Sequence, residues 1–595
     1  MTDHAEDRPA DSHGYQPELL RPSQSAVARF GRRVARPNGA TLTFARRFRE
    51  KLILTGGAVR APISARAAKR SVVVANQSIQ TSGEVAGAEV VLARDGRWRL
   101  PAVVTPTGSR ATVHHTTLAA CVEALSAAGI SCFGYEQAPG QVRLGISAAD
   151  AGRVVAALLS WQQQHPGVPL SVARSRRGVL NACAPVQSAA AITDRERCVL
   201  VVAAITDPKH RQTLGLDSGV QLDIWAPTSD GTLLAREPNR WTDVIEPTSM
   251  STATAVFAGV LTPTFPEFTS RHVEDVAFPV DVVYAWVDGS DPQWRERRDQ
   301  AKHDQTGRAP TRGATGDERY RSADELRYSL RSIDQFAPWV NHIYVVTDQQ
   351  RPVWLDSEFP GVTVVDHREI WIDEESLPVF NSHAIEANLH RIPHLSEHFV
   401  YLNDDLFLTR PTTASSFFTS AGLSRFFASD QVRIGFGESH GSDGAPVAAG
   451  RNSVRALNDA LGVVYSAKLE HAPQPCRVST FAAVEQACAE DFQRVAGSRF
   501  RDTTDIVPVE LATWFGCATG TAVGGTIHAR YIDINAADAA QQLSHLRTES
   551  GLDSFCLNQG ERGGEPLPVA AIEQFLADQF RFKAPWEVRQ SSSPA

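Results

Sequence analysis

The chain has 595 residues, 42% of them hydrophobic and 21% charged, with a net charge of -8 at pH 7. That length allows two or more domains around sizeable cores, and the composition is that of an ordinary globular protein. The acidic balance argues against a nucleic-acid partner, and no run of roughly 18 apolar residues is present to span a bilayer.

The opening residues, MTDHAEDRPADSHGYQ, contain no apolar stretch of signal-peptide type, so a cytoplasmic location is expected. Residues 1–25 lack periodicity and read as disordered. Residues 28–70 carry Arg29, Arg32, Arg33, Arg46, Arg47 and Arg49 among other arginines. They read as a solvated basic linker or helix, or as a peripheral contact with the inner face of an anionic membrane. Residues 71–270 read as a smaller α+β accessory domain. Strands are predicted at 71–77, 89–94, 198–206 and 220–227, with an edge-like strand at 141–147. Helices are predicted at 116–129 and 148–164. Residues 251–280, rich in Thr, Pro and Phe, read as a connector, and no catalytic motif precedes residue 275. The eight cysteines form no C-x-x-C pair, which argues against a zinc ribbon or a disulfide framework and for buried thiols.

From residue 280 the texture changes. VDVVYAWV (280–287), HIYVVT (342–347), VTVVD (362–366) and HFVYL (398–402) are apolar, β-branched runs of the kind buried on both faces of a sheet. Helical segments separate them, which predicts a mostly parallel sheet with flanking helices over a domain of residues 275–590. Ligands of such sheets bind outside the carboxyl ends of the strands.

The first strand ends in Asp288-Gly289-Ser290-Asp291, two carboxylates around a glycine that permits a tight turn and close approach to a ligand. Taken alone it is also a common turn. Ser322 and Glu325 have the spacing of a capping box, followed by a buried stripe of Leu326, Leu330 and Ile333. Arg321, Arg327 and Arg331 around that helix start suit a phosphate, or are surface arginines on an amphipathic helix. Asp348 follows the second strand. Residues 382–391 read as a capped helix on which His383, Glu386 and His390 share a polar face. The strongest local signal is HFVYLNDDLFL, in which Asn403, Asp404 and Asp405 interrupt an apolar run. Adjacent carboxylates there are costly unless a cation or donors satisfy them, and Mg²⁺ or Mn²⁺ is held by one or two carboxylates plus phosphate oxygens.

Together these segments resemble the Stealth family of sugar-phosphate transferases, which includes bacterial capsule polymerases and the eukaryotic GlcNAc-1-phosphotransferase precursor. The first resembling segment is Val280–Asp291, in which Ala285 replaces the family's usual threonine. The second is 324–355, the third 382–408, and the fourth Asp553–Gln559, where Gln559 replaces an aspartate. His471-Ala472-Pro473 and Arg501-Asp502 look like the family's His-x-Pro and arginine elements. The resemblance covers residues 280–560 and implies a nucleotide-diphosphosugar-transferase-like α/β core. It implies transfer of hexose-1-phosphate, by default GlcNAc-1-phosphate, from a UDP-sugar to a polysaccharide or oligosaccharide hydroxyl, with release of UMP. It further implies Asp404 and Asp405 as holders of Mg²⁺ or Mn²⁺, Arg501 with Arg321 or Arg327 on the phosphates, and His471 as general base with His383 second. Trp286, Asp288, Gly289, Ser290, Asp291, Asp324, Asp348, Glu386, Asn403 and Asn558 would line the substrate site. An ordinary metal-dependent glycosyltransferase releasing UDP, and a silent nucleotide-sugar binder favoured by Gln559, are the alternatives. No spacing in the chain specifies the hexose, the acceptor or the oligomeric state.

Overall fold

A computed structural model describes residues 84–85 and 88–588, apart from 177–178, 305–319, 321, 357, 436, 440–442, 548 and 560–565. The chain divides into two units, Met1–Arg60 and Ala61–Ala595. The first unit, the predicted strand at 71–77 and Arg321 lie outside the described residues, so the expectations for a basic membrane-facing segment fall there as well. Among the described residues no helix is long and apolar enough to cross a membrane.

The N-terminal half is built from β1 (Ala88–Asp95), β2 (Trp98–Val104), α1 (Arg110–Ala127), β3 (Cys132–Ala138), β4 (Gln141–Ser147), α2 (Val154–Gln164), β5 (Ser171–Arg176), β6 (Val179–Pro185), β7 (Cys198–Val202), β8 (Ala204–Thr206) and β9 (Val220–Pro227). Three expectations need correction. The segment 141–147 is no edge: β4 lies between β3 and a parallel β9, because Val142, Leu144 and Ile146 all bury into the core under α1 and α2. The run 198–206 breaks at Ala203 and serves two sheets, β7 beside β9 and β8 beside β2. The connector holds a hairpin, β10 (Ala253–Phe257) with β11 (Val260–Thr264). Its two loop residues, Ala258 and Gly259, both have positive φ (46° and 78°), the backbone a two-residue hairpin turn requires.

The C-terminal half contains β12 (Val280–Ala285), α3 (Pro292–Asp304), α4 (Glu325–Phe336), β13 (Ile343–Thr347), β14 (Val362–Asp366), α5 (Ser382–Glu386), β15 (His398–Asn403), β16 (Leu406–Leu408), α6 (Ala445–Leu461), β17 (Gln474–Arg477), α7 (Pro508–Thr519), β18 (Ala529–Asp533), β19 (Ser554–Asn558) and α8 (Val569–Gln579). The predicted mostly parallel sheet is present in the order β14-β13-β12-β15-β17, with only β17 antiparallel. Alternation along the strands feeds two cores. Val282, Tyr284 and Val345 pack on the α4 face, and Val283, Tyr344 and Val346 pack on the face of α5, α6 and α7. Burying each such side chain favours the fold by about 1.5–3 kcal/mol, which is why these runs read so clearly in the sequence.

The strand order places chain reversals on either side of β12 and β15, so a crevice opens between their carboxyl ends. The turn Asp404-Asp405 then hands the chain to a second sheet, β16-β19-β18. Helix α4 is stitched to β16 because Ser329 Oγ donates to the Leu406 carbonyl and Leu408 N donates to Ser332 Oγ at 3.0 Å. The C-terminal segment locks the same helix from outside. Glu587, its side chain 1% exposed, takes Arg331 (2.6 and 2.7 Å) and Arg327 (2.8 Å). Gln335 of α4 donates to Gly108 O at 2.8 Å, and Lys583 N donates to Pro106 O at 2.9 Å, so the two halves meet along α4 and the C-terminal segment.

Candidate active site

The site assembles where β12 and β15 end in register, Ala285 beside Asn403. Beyond β12, Trp286 N donates to Val346 O at 2.9 Å, and the Asp288–Asp291 turn closes on itself through Ser290 N and Oγ, which donate to Asp288 Oδ1 at 2.8 and 2.6 Å. Gln350, beyond β13, ties the turn down by donating to Asp288 O and Asp291 Oδ2 and accepting from Asp288 N. The donation from Gln350 holds the Asp291 carboxyl below its ordinary range. Packing against Tyr320 by itself requires glycine at 289: a Cβ there would drive into the Tyr320 carbonyl and lie 2.6 Å from Tyr320 Cβ.

Asp404 and Asp405 form the turn between β15 and β16. Burial and then the neighbouring carboxylates, Asp405 and Glu325, push Asp404 well above the ordinary aspartate value. Asp405 is pushed up to about 7 by burial, with Glu325 adding to the rise and the Cys556 thiol, which donates to it, opposing. Its buried Oδ1 has no hydrogen-bond partner among the described residues. Leu557 N donates to Asp405 O at 3.0 Å, and the antiparallel register of β16 on β19 carries Asn558 opposite Asp404. On the other flank β17 runs antiparallel to β15 with Gln474 beside Tyr401, so continuing that register carries His471 toward Asp404. His471 keeps access to solvent with its ring 4.7 Å from the Tyr531 ring, and crowding of the imidazole by surrounding atoms, and then the Lys468 charge, lower its pKa. Asn403 Oδ1 accepts from Tyr401 Oη at 2.9 Å. Burial raises the Tyr401 hydroxyl well above its ordinary pKa, and Glu386, Asp404 and Asp405 add to the rise while Arg501 opposes it.

Several predicted residues are otherwise engaged. Arg327 and Arg331 are both paired with Glu587, and Arg327 also with Asp324. Asp324 caps α4 in the left-handed region (φ 63°), accepting from Trp354 Nε1 at 2.8 Å and pairing with Arg327. It takes the cap position expected of Ser322, while Ser322 Oγ and Ala323 N donate to Glu325 Oε2. Asp348 is paired with Arg297 at 3.0 Å. The predicted helix 382–391 stops at Glu386 and is capped by Asn381, not Ser382. His390 consequently leaves the face of the other two: His383 lies 3.7 Å from Asp505 and Glu386 lies within reach of the Arg501 charge on the same loop, whereas His390 pairs with Glu485 at 2.9 Å. Sequence reasoning missed Glu325 as a third carboxylate beside Asp404 and Asp405. Nothing in its local pattern beyond an ordinary capping signal marks it, because the approach is made across about 80 residues of chain.

Among the described residues no three His, Cys, Asp or Glu groups converge to cage an ion. Two adjacent hard oxygen donors, one of them with an orphaned buried oxygen, fit instead a divalent cation completed by phosphate oxygens of a substrate.

Two conserved-region profiles match the chain: Stealth protein CR1, conserved region 1, over residues 278–305, and Stealth protein CR2, conserved region 2, over residues 319–426. An exopolysaccharide phosphotransferase of Streptomyces coelicolor is 36% identical over 509 residues, covering 83% of this chain and 85% of the relative. A second from the same organism is 38% identical over 399 residues, covering 64% and 72%. At 83% coverage the first similarity extends into the N-terminal half. A crystal structure of the galactosyltransferase LgtC with donor and acceptor sugar analogues overlaps 50% of this chain and 95% of its own, at 11% identity and a TM-score of 0.26, which adds no weight.

Proposed function

The chain belongs to the Stealth family of exopolysaccharide phosphotransferases, and from that premise we propose that it transfers a hexose-1-phosphate from a UDP-sugar to a glycan hydroxyl. GlcNAc-1-phosphate is the default group transferred, and the product is a phosphodiester within an exopolysaccharide. What supports this reading is the buried Asp404-Asp405 turn at the carboxyl end of β15, with Arg501 acting on the nearby Tyr401 and His471 three residues before Gln474, the β17 residue paired with Tyr401.

Phosphoryl transfer asks for positioning and charge neutralisation more than for covalent help from the protein. The acceptor oxygen attacks the β-phosphorus, the bond from that phosphorus to the bridging oxygen breaks, and UMP leaves with the bonding pair. His471, with its pKa lowered, is neutral at pH 7 and takes the hydroxyl proton. Arg501 steadies the charge on the phosphate oxygens. Asp404 and Asp405 would hold Mg²⁺ or Mn²⁺, which would supply charge neutralisation to the diphosphate. Trp286 and the Asp288–Asp291 turn seat the nucleotide, and Asn403 and Asn558 flank the reacting groups. The nucleotide-diphosphosugar-transferase character of the core, and the split into an accessory domain at 71–270 and a catalytic domain at 275–590, belong to the same proposal.

Product analysis with UDP-GlcNAc, Mg²⁺ and an oligosaccharide panel tests it. UMP with a phosphorus-containing glycan is the expected result. UDP with a phosphorus-free glycan means glycosyl transfer instead, and donor binding without any turnover means a silent binder, the reading that Gln559 favours.

A further inference from the structure

Arg501 sits on a loop without regular structure, yet its proposed task needs a guanidinium fixed in place. Helix α5 lies across it. Arg501 Nη2 donates to Ser382 Oγ at 2.8 Å, and Glu386, four residues along the same helix and so on the same side of it, lies within reach of the Arg501 charge. The two elements are pinned a second time. Asn381, the cap of α5, donates to Asp505 Oδ2 at 2.9 Å, and the same oxygen accepts from Asp502 N at 2.9 Å, closing the loop that carries Arg501. From behind, Asn452 of α6 donates to Asp505 O at 2.8 Å.

Glu386 is anchored in its own right. It is 8% exposed, it accepts the Val509 amide in the first turn of α7, and its buried Oε2 has no hydrogen-bond partner. A buried carboxylate left with an empty oxygen is costly unless a nearby cation compensates it. Burial outweighs every other influence and pushes the Glu386 carboxyl up to about 7, and Arg501 is the charge that most opposes the rise.

We propose that Glu386 is a positioning residue, which together with Ser382 holds the Arg501 guanidinium facing the Asp404-Asp405 turn. Glu386 thereby acts through Arg501 and touches neither the sugar nor the metal. This rests on the reading of Arg501 as the phosphate-bracing residue, but its first test is structural and independent of the products formed.

Crystal structures of the full chain and of Glu386→Gln are compared. The expected result is that the Arg501 guanidinium leaves Ser382 Oγ in the glutamine variant. A guanidinium that stays on Ser382 overturns the proposal whatever the enzyme makes. If Glu386→Gln does not fold, Glu386→Ala is used with the same readout, and an Arg501 unmoved on Ser382 there overturns it equally. The second test is a double-mutant cycle on nucleotide release, which runs whether UMP or UDP is produced. Glu386→Gln should lower kcat by about tenfold with KM little changed, and in an Arg501→Ala background it should change the rate by less than about twofold. Equal effects in both backgrounds, or a rise in KM alone, would make Glu386 a direct substrate contact instead.

Discussion

Replacing Glu587 by alanine should loosen the frame of the site from a distance of some 260 residues in sequence. The carboxylate is 1% exposed and takes both Arg331, 7% exposed, and Arg327, 21% exposed, at 2.6–2.8 Å. Removing one member of a buried pair strands the other charge at about 3–5 kcal/mol. Here two guanidiniums are stranded. Arg327 keeps Asp324 and some access to water, and Arg331 keeps the Phe580 carbonyl, which places the expected loss at about 4 kcal/mol. Helix α4 carries Glu325 to the Asp404-Asp405 turn, so the loss falls on the element that frames the site. Native-state hydrogen exchange of the α4 amides reads it: protection should fall by about 10²–10³-fold. The pH dependence has a defined sign. Desolvation raises the Glu587 pKa, but the hydrogen bonds and charge of Arg331, helped by Arg327, outweigh it, and the folded value is lowered. The pair's contribution is therefore complete above the ordinary glutamate pKa and is lost as pH falls through the lowered folded value. The gap between the native protein and Glu587→Ala should close in acid. A protection change under about fivefold at neutral pH refutes the reasoning.

Other outcomes follow from the same geometry. Asp404→Asn and Asp405→Asn should each cut turnover by at least about 10²-fold while leaving the melting temperature unchanged or higher, because each relieves a crowded, desolvated carboxylate; preserved turnover in either variant removes it from the machinery. Gly289→Ala should cost about 1–3 kcal/mol in a denaturant titration, since its Cβ meets the Tyr320 backbone, and an unchanged midpoint would mean the turn shifts freely. The acid limb of kcat/KM should lie below the ordinary histidine pKa and vanish in His471→Gln, because desolvation lowers that histidine; a persisting limb assigns the proton transfer elsewhere.

The sequence alone determined the strands of the parallel sheet and the residues that end them. Strands buried on both faces must be continuously apolar, so every polar break in such a run stands out, and Asp404-Asp405 stood out most. It likewise determined the helix beginning near residue 325, through the stripe of Leu326, Leu330 and Ile333. What the tertiary structure decided is which charges meet. That Arg327 pairs with Glu587, and that Glu325 comes within reach of Asp404, is set by the folding of the C-terminal segment and of β16 against α4. His390 joins the face of His383 and Glu386 only on a helix that continues, and this one stops at Glu386. Local pattern records whether a residue is buried and on what period. Coulomb and hydrogen-bond partners separated by tens to hundreds of residues are chosen by packing, and no local pattern carries them.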